Sequence, residues 1–266
     1  MIKLAIFDVD GTLLSHDDWV IPQSVLTAIE KLRQKGIKIA IASGRPPYAL
    51  RNVTSAGIEY DYLIACNGHV VFDDTGKMIA SESLSAEQVE RITAFCVKND
   101  FPLFFKQSNG NHSYHKGEAF DPIQDSLDIL PEHRHVSVNK DSYKRELPFG
   151  GVVYCGEKYI ELLQRELGED IVLQPFAYES YDISVKQANK GSGLQHLLDN
   201  IGFSMEDCIA FGDGQNDIEM LSAVGIGVAM KKCAEELLEV ADYQAEDISD
   251  DGVAKALVHF GLIDSY

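Results

Sequence analysis

Four short segments carry residues whose types and spacing suit chemistry. The first, Asp8-Val9-Asp10-Gly11-Thr12-Leu13, places two carboxylates two positions apart, directly behind the apolar run 2–7. Gly11 permits a turn that lets both groups approach one reaction centre. Two carboxylates so close resist double ionisation unless a cation stands nearby. An EF-hand calcium loop is excluded, because its further oxygen ligands and distal Glu are missing from the required offsets. The second segment, Ala42-Ser43-Gly44-Arg45-Pro46, offers a hydroxyl and main-chain N–H groups behind another apolar run, an anion seat. In the third, Asn189-Lys190-Gly191-Ser192-Gly193, Lys190 can hold a phosphate as a point charge. A dinucleotide fingerprint does not fit there, since His196 stands where the third Gly belongs. The fourth, Phe211-Gly212-Asp213-Gly214-Gln215-Asn216-Asp217, adds two carboxylates and an amide between glycines that allow close main-chain approach. Asp8, Asp10 and Asp213 supply hard oxygens suited to Mg²⁺, and Ser43, Lys190 and Asn216 supply donors for phosphate oxygens. Such a set describes a phosphoryl-transfer site.

These segments need a scaffold that brings them to one edge. Short apolar runs at 2–7, 37–42, 62–66, 208–211 and 226–229 read as strands. Between them, 22–34 reads as a helix with Val25, Leu26, Ile29 and Leu32 on one face, ended by Gly36. Leu194, Leu197, Leu198 and Ile201 mark a second helix ended by Gly202, and 218–223 lies in a third. Continuous apolar strands alternating with amphipathic helices indicate a parallel sheet covered on both faces, whose carboxyl edge is where ligands bind.

The middle of the chain differs. Strands expected at 102–106, 136–139, 151–155 and 171–176 alternate with polar or aromatic residues, with helices near 86–99 and 158–167. This reads as a separate α+β unit inserted into the first, and Asp74-Thr75-Gly76 is a turn signal near the point of entry. The expected division is a core of 1–80 and 184–266 and an insert of 81–183.

The balance of 23 basic against 42 acidic residues gives a formal charge of −19, which repels nucleic acid and anionic membrane surfaces. An anionic substrate then needs a local positive centre, which a bound cation would supply. No apolar run approaches the roughly 20 residues of a membrane span, and the N-terminus reads as a first strand rather than a signal peptide. The cysteines (Cys66, Cys96, Cys155, Cys208, Cys233) are odd in number and lack a C-x-x-C, which fits a reducing, cytoplasmic setting.

Taken in order, Asp-Val-Asp-Gly-Thr, Ser-Gly-Arg, Lys190 and Gly-Asp-Gly-Gln-Asn-Asp resemble the four motifs of the haloacid dehalogenase superfamily, most closely its Cof-like phosphatase branch. The resemblance implies an α/β fold, a Rossmann-like parallel-sheet core with an inserted α+β cap. It implies a Mg²⁺-dependent phosphatase acting on small phosphorylated metabolites, sugar phosphates among them. Asp8 would be the nucleophile, and Asp10 the general acid and then the base. Mg²⁺ would be held by the Asp8 carboxylate, the Asp10 main-chain carbonyl and Asp213. Val9, Ser43, Gly44, Lys190 and Asn216 would bind the phosphoryl group, and Asp217 would orient Lys190 or the metal's waters. Dehalogenation is disfavoured, since halide leaves without the proton that Asp10 is placed to give.

In such enzymes the cap selects the leaving group. Here His112, Tyr114, His115, Lys116 and Glu118 follow Asn109-Gly110-Asn111 and read as a solvated loop, while His133 and His135 read as the solvent face of a strand. Two other functions remain open: a phosphomutase, and a phosphometabolite-binding regulator with vestigial activity. Oligomeric state is not legible, and a monomer is compatible with the sequence.

Overall fold

A buried parallel strand is apolar on both faces, and β1 (Leu4–Phe7) has all four residues buried. Helix α1 (Gln23–Gln34) follows; its inward stripe is Val25, Ala28, Ile29 and Leu32. The chain turns through Gly36 at φ +80° into β2 (Lys38–Ala42), parallel to β1, and then reaches β3 (Tyr62–Ala65), parallel to β2. Two antiparallel strands, β4 (Val70–Asp73) and β5 (Met78–Ser81), extend the sheet. Asp74-Thr75-Gly76 closes this hairpin: Asp73 Oδ1 accepts the N–H groups of Thr75 and Lys77 at 3.0 Å each, and Gly76 has φ +79°. The turn expected at the insertion point thus belongs to the sheet, and the chain leaves the sheet only after Ser81.

The computed structural model describes residues 1–15, 20–50, 53, 55–116, 140–175 and 179–266. They fall into two compact units. One comprises Met1–Arg45, Asn52–Ser81 and Asn189–Tyr266; the other comprises Pro46–Arg51 and Glu82–Ala188.

The second unit opens with helix α2 (Ala86–Asn99), started by a reciprocal capping box between Ser85 and Gln88. Strands β6 (Leu103–Gln107), β7 (Gly110–His115), β8 (Gly150–Tyr154), β9 (Ile171–Pro175) and β10 (Ser180–Val185), with α3 (Ile160–Leu167), complete it. The strand order is β7-β6-β8-β10-β9, antiparallel throughout. Leu103, Phe105, Tyr114, Val153 and Ile183 pack with Val89, Ile92, Leu163 and Leu167 of the two helices. Strand β10 pairs with β9 as far as Val185 opposite Ile171, so this unit runs to Ala188 rather than ending at 183.

The segment read as a solvated loop is strand β7. His112 and Tyr114 are buried, with the Tyr114 ring edge-on to Phe105 at 4.7 Å and its hydroxyl 2.8 Å from Ser142 Oγ. His115 and Lys116 pair with Asp100 beyond the strand end. Strand β7 buries the polar Asn111, His112 and Ser113, so polarity alone does not mark a solvated loop. Glu118, His133, His135, Phe176 and the expected strand 136–139 lie outside the described residues.

The first unit resumes with helix α4 (Lys190–Ile201), β11 (Cys208–Gly212), α5 (Ile218–Ala223), β12 (Ile226–Ala229), β13 (Tyr243–Gln244) and α6 (Gly252–His259). The complete sheet has the order β13-β12-β11-β1-β2-β3-β4-β5. Its pairings are parallel from β13 to β3, the α/β architecture expected from the strand–helix alternation. Leu4, Ile6, Ala40, Ala42 and Ile64 pack with Leu194, Leu197 and Leu198 of α4 and Met220 of α5. The alternate residues Ala5, Phe7, Ile39 and Ile41 point to the opposite face and are equally buried. Among the described residues no helix is long and apolar enough to cross a membrane. None of the cysteines, all of them described, forms a disulfide.

Candidate active site

Strands β1, β2 and β11 are neighbours and parallel, so the residues that follow them, Asp8, Ser43 and Asp213, emerge at the same edge. The Asp8 N–H continues the ladder to Phe211 O at 3.0 Å, which aims the side chain out of the strand end. Lys190, in the first turn of α4, reaches the same place. Its ammonium donates to Asp8 Oδ1 at 2.5 Å and to Asp217 Oδ1 at 2.7 Å, and none of its surface is exposed. Asn189 fixes that turn by accepting the Ser192 N–H at 2.8 Å. Burial pulls the Lys190 ammonium downward, but Asp8 and Asp217 outweigh it and the net direction is up. Burial pushes the Asp8 carboxyl well above the usual carboxylate range. Lys190 opposes this, and repulsion from Asp217 and Asp213 adds to it.

The fourth segment is folded around Asp217. Its Oδ2 accepts the N–H groups of Asp213 at 3.1 Å and Gly214 at 3.0 Å. Two glycines make room for this: a Cβ on Gly212 would stand 2.4 Å from Asp217 Cγ, and one on Gly11 would stand 2.3 Å from Asp213 Oδ2. Thr12 Oγ1 donates to Asp213 Oδ1 at 3.3 Å, tying the first segment to the fourth.

Asp10 has a partner of its own. Arg45 grips its carboxylate with two parallel bonds, Nε to Oδ2 at 2.9 Å and Nη2 to Oδ1 at 2.6 Å. Ser43 is buried and its Oγ accepts the Arg45 N–H at 3.1 Å. The Val9 side chain is fully buried, so a phosphate contact there can come only from the main chain. Asn216 donates through Nδ2 to Asn67 Oδ1 at 2.9 Å. Asn67 lies in a run of three left-handed residues, Cys66 (φ +52°), Asn67 (φ +53°) and Gly68 (φ +91°). Non-glycine residues held there cost of order 1–3 kcal/mol each.

One oxygen from each of Asp8, Asp213 and Asp217 lies within 4.8 Å of the others. All are hard donors, and one belongs to a carboxyl that burial and its neighbours drive toward protonation. A small divalent cation fits this donor set, because its charge would keep all three ionised.

A family model of haloacid dehalogenase-like hydrolases matches residues 5–257. The chain belongs to this family. A Streptococcus pyogenes protein named as a candidate bifunctional phosphatase/peptidyl-prolyl cis-trans isomerase is 28% identical over 99% of the chain, which spans only 55% of that relative's length. A phosphatase of the superfamily from Bacteroides thetaiotaomicron is 30% identical, with a TM-score of 0.83 over 99% of this chain and 96% of that one. A subclass IIB sugar phosphatase is 28% identical, with a TM-score of 0.82 over 98% and 100% of the two chains. The enzyme class read from the sequence, a phosphatase-type hydrolase, agrees with these relatives.

Of the residues singled out in the hydrolase's sequence, the fold brings Asp8, Lys190, Asp213 and Asp217 into one cluster and holds Asp10, Ser43 and Gly44 through the adjoining 43–45 loop. Three residues join the site beyond those the sequence picks out. Arg45 grips Asp10, and Thr12 donates to Asp213, without any sign of either contact in the sequence. Asn67 has one signal, an Asn-Gly step behind an apolar strand, which marks a turn and no partner.

Proposed function

We propose that this hydrolase is a Mg²⁺-dependent phosphatase of small phosphorylated metabolites, sugar phosphates foremost, acting through an aspartyl phosphate on Asp8. The observation that carries the reading is Lys190: a fully buried ammonium held between Asp8 and Asp217 at the edge where Asp213 emerges. A structural ion pair does not need a second and third carboxylate; a site for a dianion and a cation does.

The Asp8 carboxylate attacks phosphorus and the ester P–O bond breaks. Asp10, protonated from solvent on the oxygen that Arg45 releases and still held through the other, gives that proton to the departing alkoxide. A water then attacks the aspartyl phosphate, Asp10 takes its proton, and phosphate leaves with Asp8 regenerated. Lys190, Ser43 and Asn216 donate to the phosphoryl oxygens, where such preorganised donors contribute most to the rate. Asp217 keeps Lys190 charged and in place. The Asp8 and Asp213 carboxylates and the Asp10 carbonyl would hold Mg²⁺, which when bound offsets the charge of the incoming phosphate. The sugar-phosphate preference is supported by the similarity to the sugar phosphatase. The absence of disulfides suits a cytoplasmic setting.

The test is phosphate release from a panel of monoesters, with Mg²⁺ and then with EDTA. Release should require the metal and disappear in Asp8→Asn. Near-wild-type turnover by that variant would overturn the covalent mechanism, and an isomerised sugar phosphate without free phosphate would mark a mutase.

A further inference from the structure

The turn at 66–68 stands behind β3, outside the four motif segments, yet it touches three of them. The Cys66 N–H donates to Arg45 O and the Asn67 N–H to Ser43 O, both at 3.0 Å. Gly68 presses on the start of α4: a Cβ there would lie 1.9 Å from Asn189 O. The Asn67 side chain lies against Gly44, where a Cβ would stand 2.9 Å from its Oδ1, and the same oxygen accepts from Asn216. The other end of the Asn216 amide occupies the room that Gly214 leaves, since a Cβ there would stand 2.6 Å from its Oδ1. An amide nitrogen carries two hydrogens. One is used on Asn67, and the plane of the amide sets the direction of the other.

We propose that Asn67 is a positioning residue for phosphate recognition: it holds the Asn216 amide so that the second N–H meets a phosphoryl oxygen. The proposal rests on the phosphatase reading, in which Asn216 is a phosphate donor. The left-handed run at 66–68 accounts for the choice of Asn, the side chain that tolerates this conformation best after glycine while offering an oxygen. A neutral acceptor also suits a place beside a dianion better than a carboxylate, which would repel it.

The test is a double-mutant cycle on Asn67→Gly and Asn216→Ala. Glycine adopts φ +53° without strain, so Asn67→Gly removes the oxygen and keeps the turn; its melting temperature should equal or exceed that of the wild type. The first readout is the dissociation constant for inorganic phosphate in the presence of Mg²⁺, by calorimetry. Asn67→Gly should weaken binding about threefold to tenfold, the range of one hydrogen bond. The double variant should bind no more weakly than Asn216→Ala alone. For a hydrolysed monoester, kcat/KM should fall by at least a similar factor, with kcat sharing in the loss. Wild-type affinity in Asn67→Gly, or penalties that multiply in the double variant, would overturn the proposal. Failure of the wild type to hydrolyse any monoester would instead sink the phosphatase reading, and the phosphate-binding cycle would still report on Asn67.

Discussion

Arg45 closes on Asp10 with both arms of its guanidinium, at 2.9 and 2.6 Å, and the Arg45 main chain is itself anchored to Ser43 Oγ and Cys66 N. The proposed acid of the reaction is therefore oriented by a side chain 35 positions away. Lysine cannot reproduce a planar two-point grip. Arg45→Lys and Arg45→Ala should both lower kcat by about 10- to 100-fold, the scale of a misplaced reacting group. Steady-state phosphate release checks this, and an unchanged circular dichroism spectrum shows that the fold is intact. A lysine variant with wild-type kcat would show that charge alone is enough.

Asp8 is expected to weaken the metal-free protein at neutral pH. Its carboxyl is raised in the folded state, chiefly by burial, so the folded chain binds that proton more tightly than the unfolded one. The contribution to stability is present below the ordinary carboxylate value and is lost as pH rises from there through the raised one. In EDTA, Asp8→Asn should melt above the wild type at pH 7, and the two should converge toward pH 4. Thermal unfolding followed across that range decides it; a lower melting temperature for Asp8→Asn at pH 7 would contradict it.

Lys190 pairs with two carboxylates from a position with no exposed surface. Removing one member of a buried ionic group costs about 3–5 kcal/mol. Lys190→Met should lose stability on that scale in urea unfolding. Asp8→Asn/Lys190→Met should recover part of the loss, because one stranded charge goes with it.

Mg²⁺ should raise the melting temperature of the wild type by mass action, since the unfolded chain has no assembled site. Asp213→Asn removes one negative charge from the cluster and leaves an amide oxygen for Thr12 to donate to. It should keep its fold, lose most of the Mg²⁺-dependent shift and release little phosphate. A full shift in this variant would place the cation elsewhere.

Gly68→Ala tests the turn behind β3. The new methyl group would meet Asn189 O at 1.9 Å in a residue whose φ is +91°. The turn or the start of α4 must move, at an expected cost of more than about 2 kcal/mol. Denaturant unfolding measures it.

The first and fourth segments were legible because their chemistry is local. Carboxylates and glycines within a few positions of a strand end declare a site whatever surrounds them. The grip of Arg45 on Asp10 was not legible, since a side chain gives no sign of which distant partner it will meet. Asn67 is absent from the sequence reading, since its Asn-Gly step marks only a turn and says nothing of Asn216. The turn Asp74-Thr75-Gly76 is legible but the hairpin β4–β5 that it closes is not, because turn chemistry marks a reversal without saying what is joined. Strand β7 failed for another reason: Asn111, His112 and Ser113 are polar yet buried, so alternation of apolar and polar residues could not reveal it.

Three carboxylates, Asp8, Asp213 and Asp217, surround one ammonium, Lys190, while Asp10 and Arg45 cancel each other. Fully ionised, three against one leaves two negative charges in excess, the amount one divalent cation removes. A phosphate dianion arriving first meets a like-charged pocket, and a cation arriving first prepares it. The two affinities are then bound by reciprocity: whatever factor the cation lends to phosphate, phosphate lends to the cation. Product phosphate would retain the metal, so scarcity of the cation should weaken product inhibition as well as turnover.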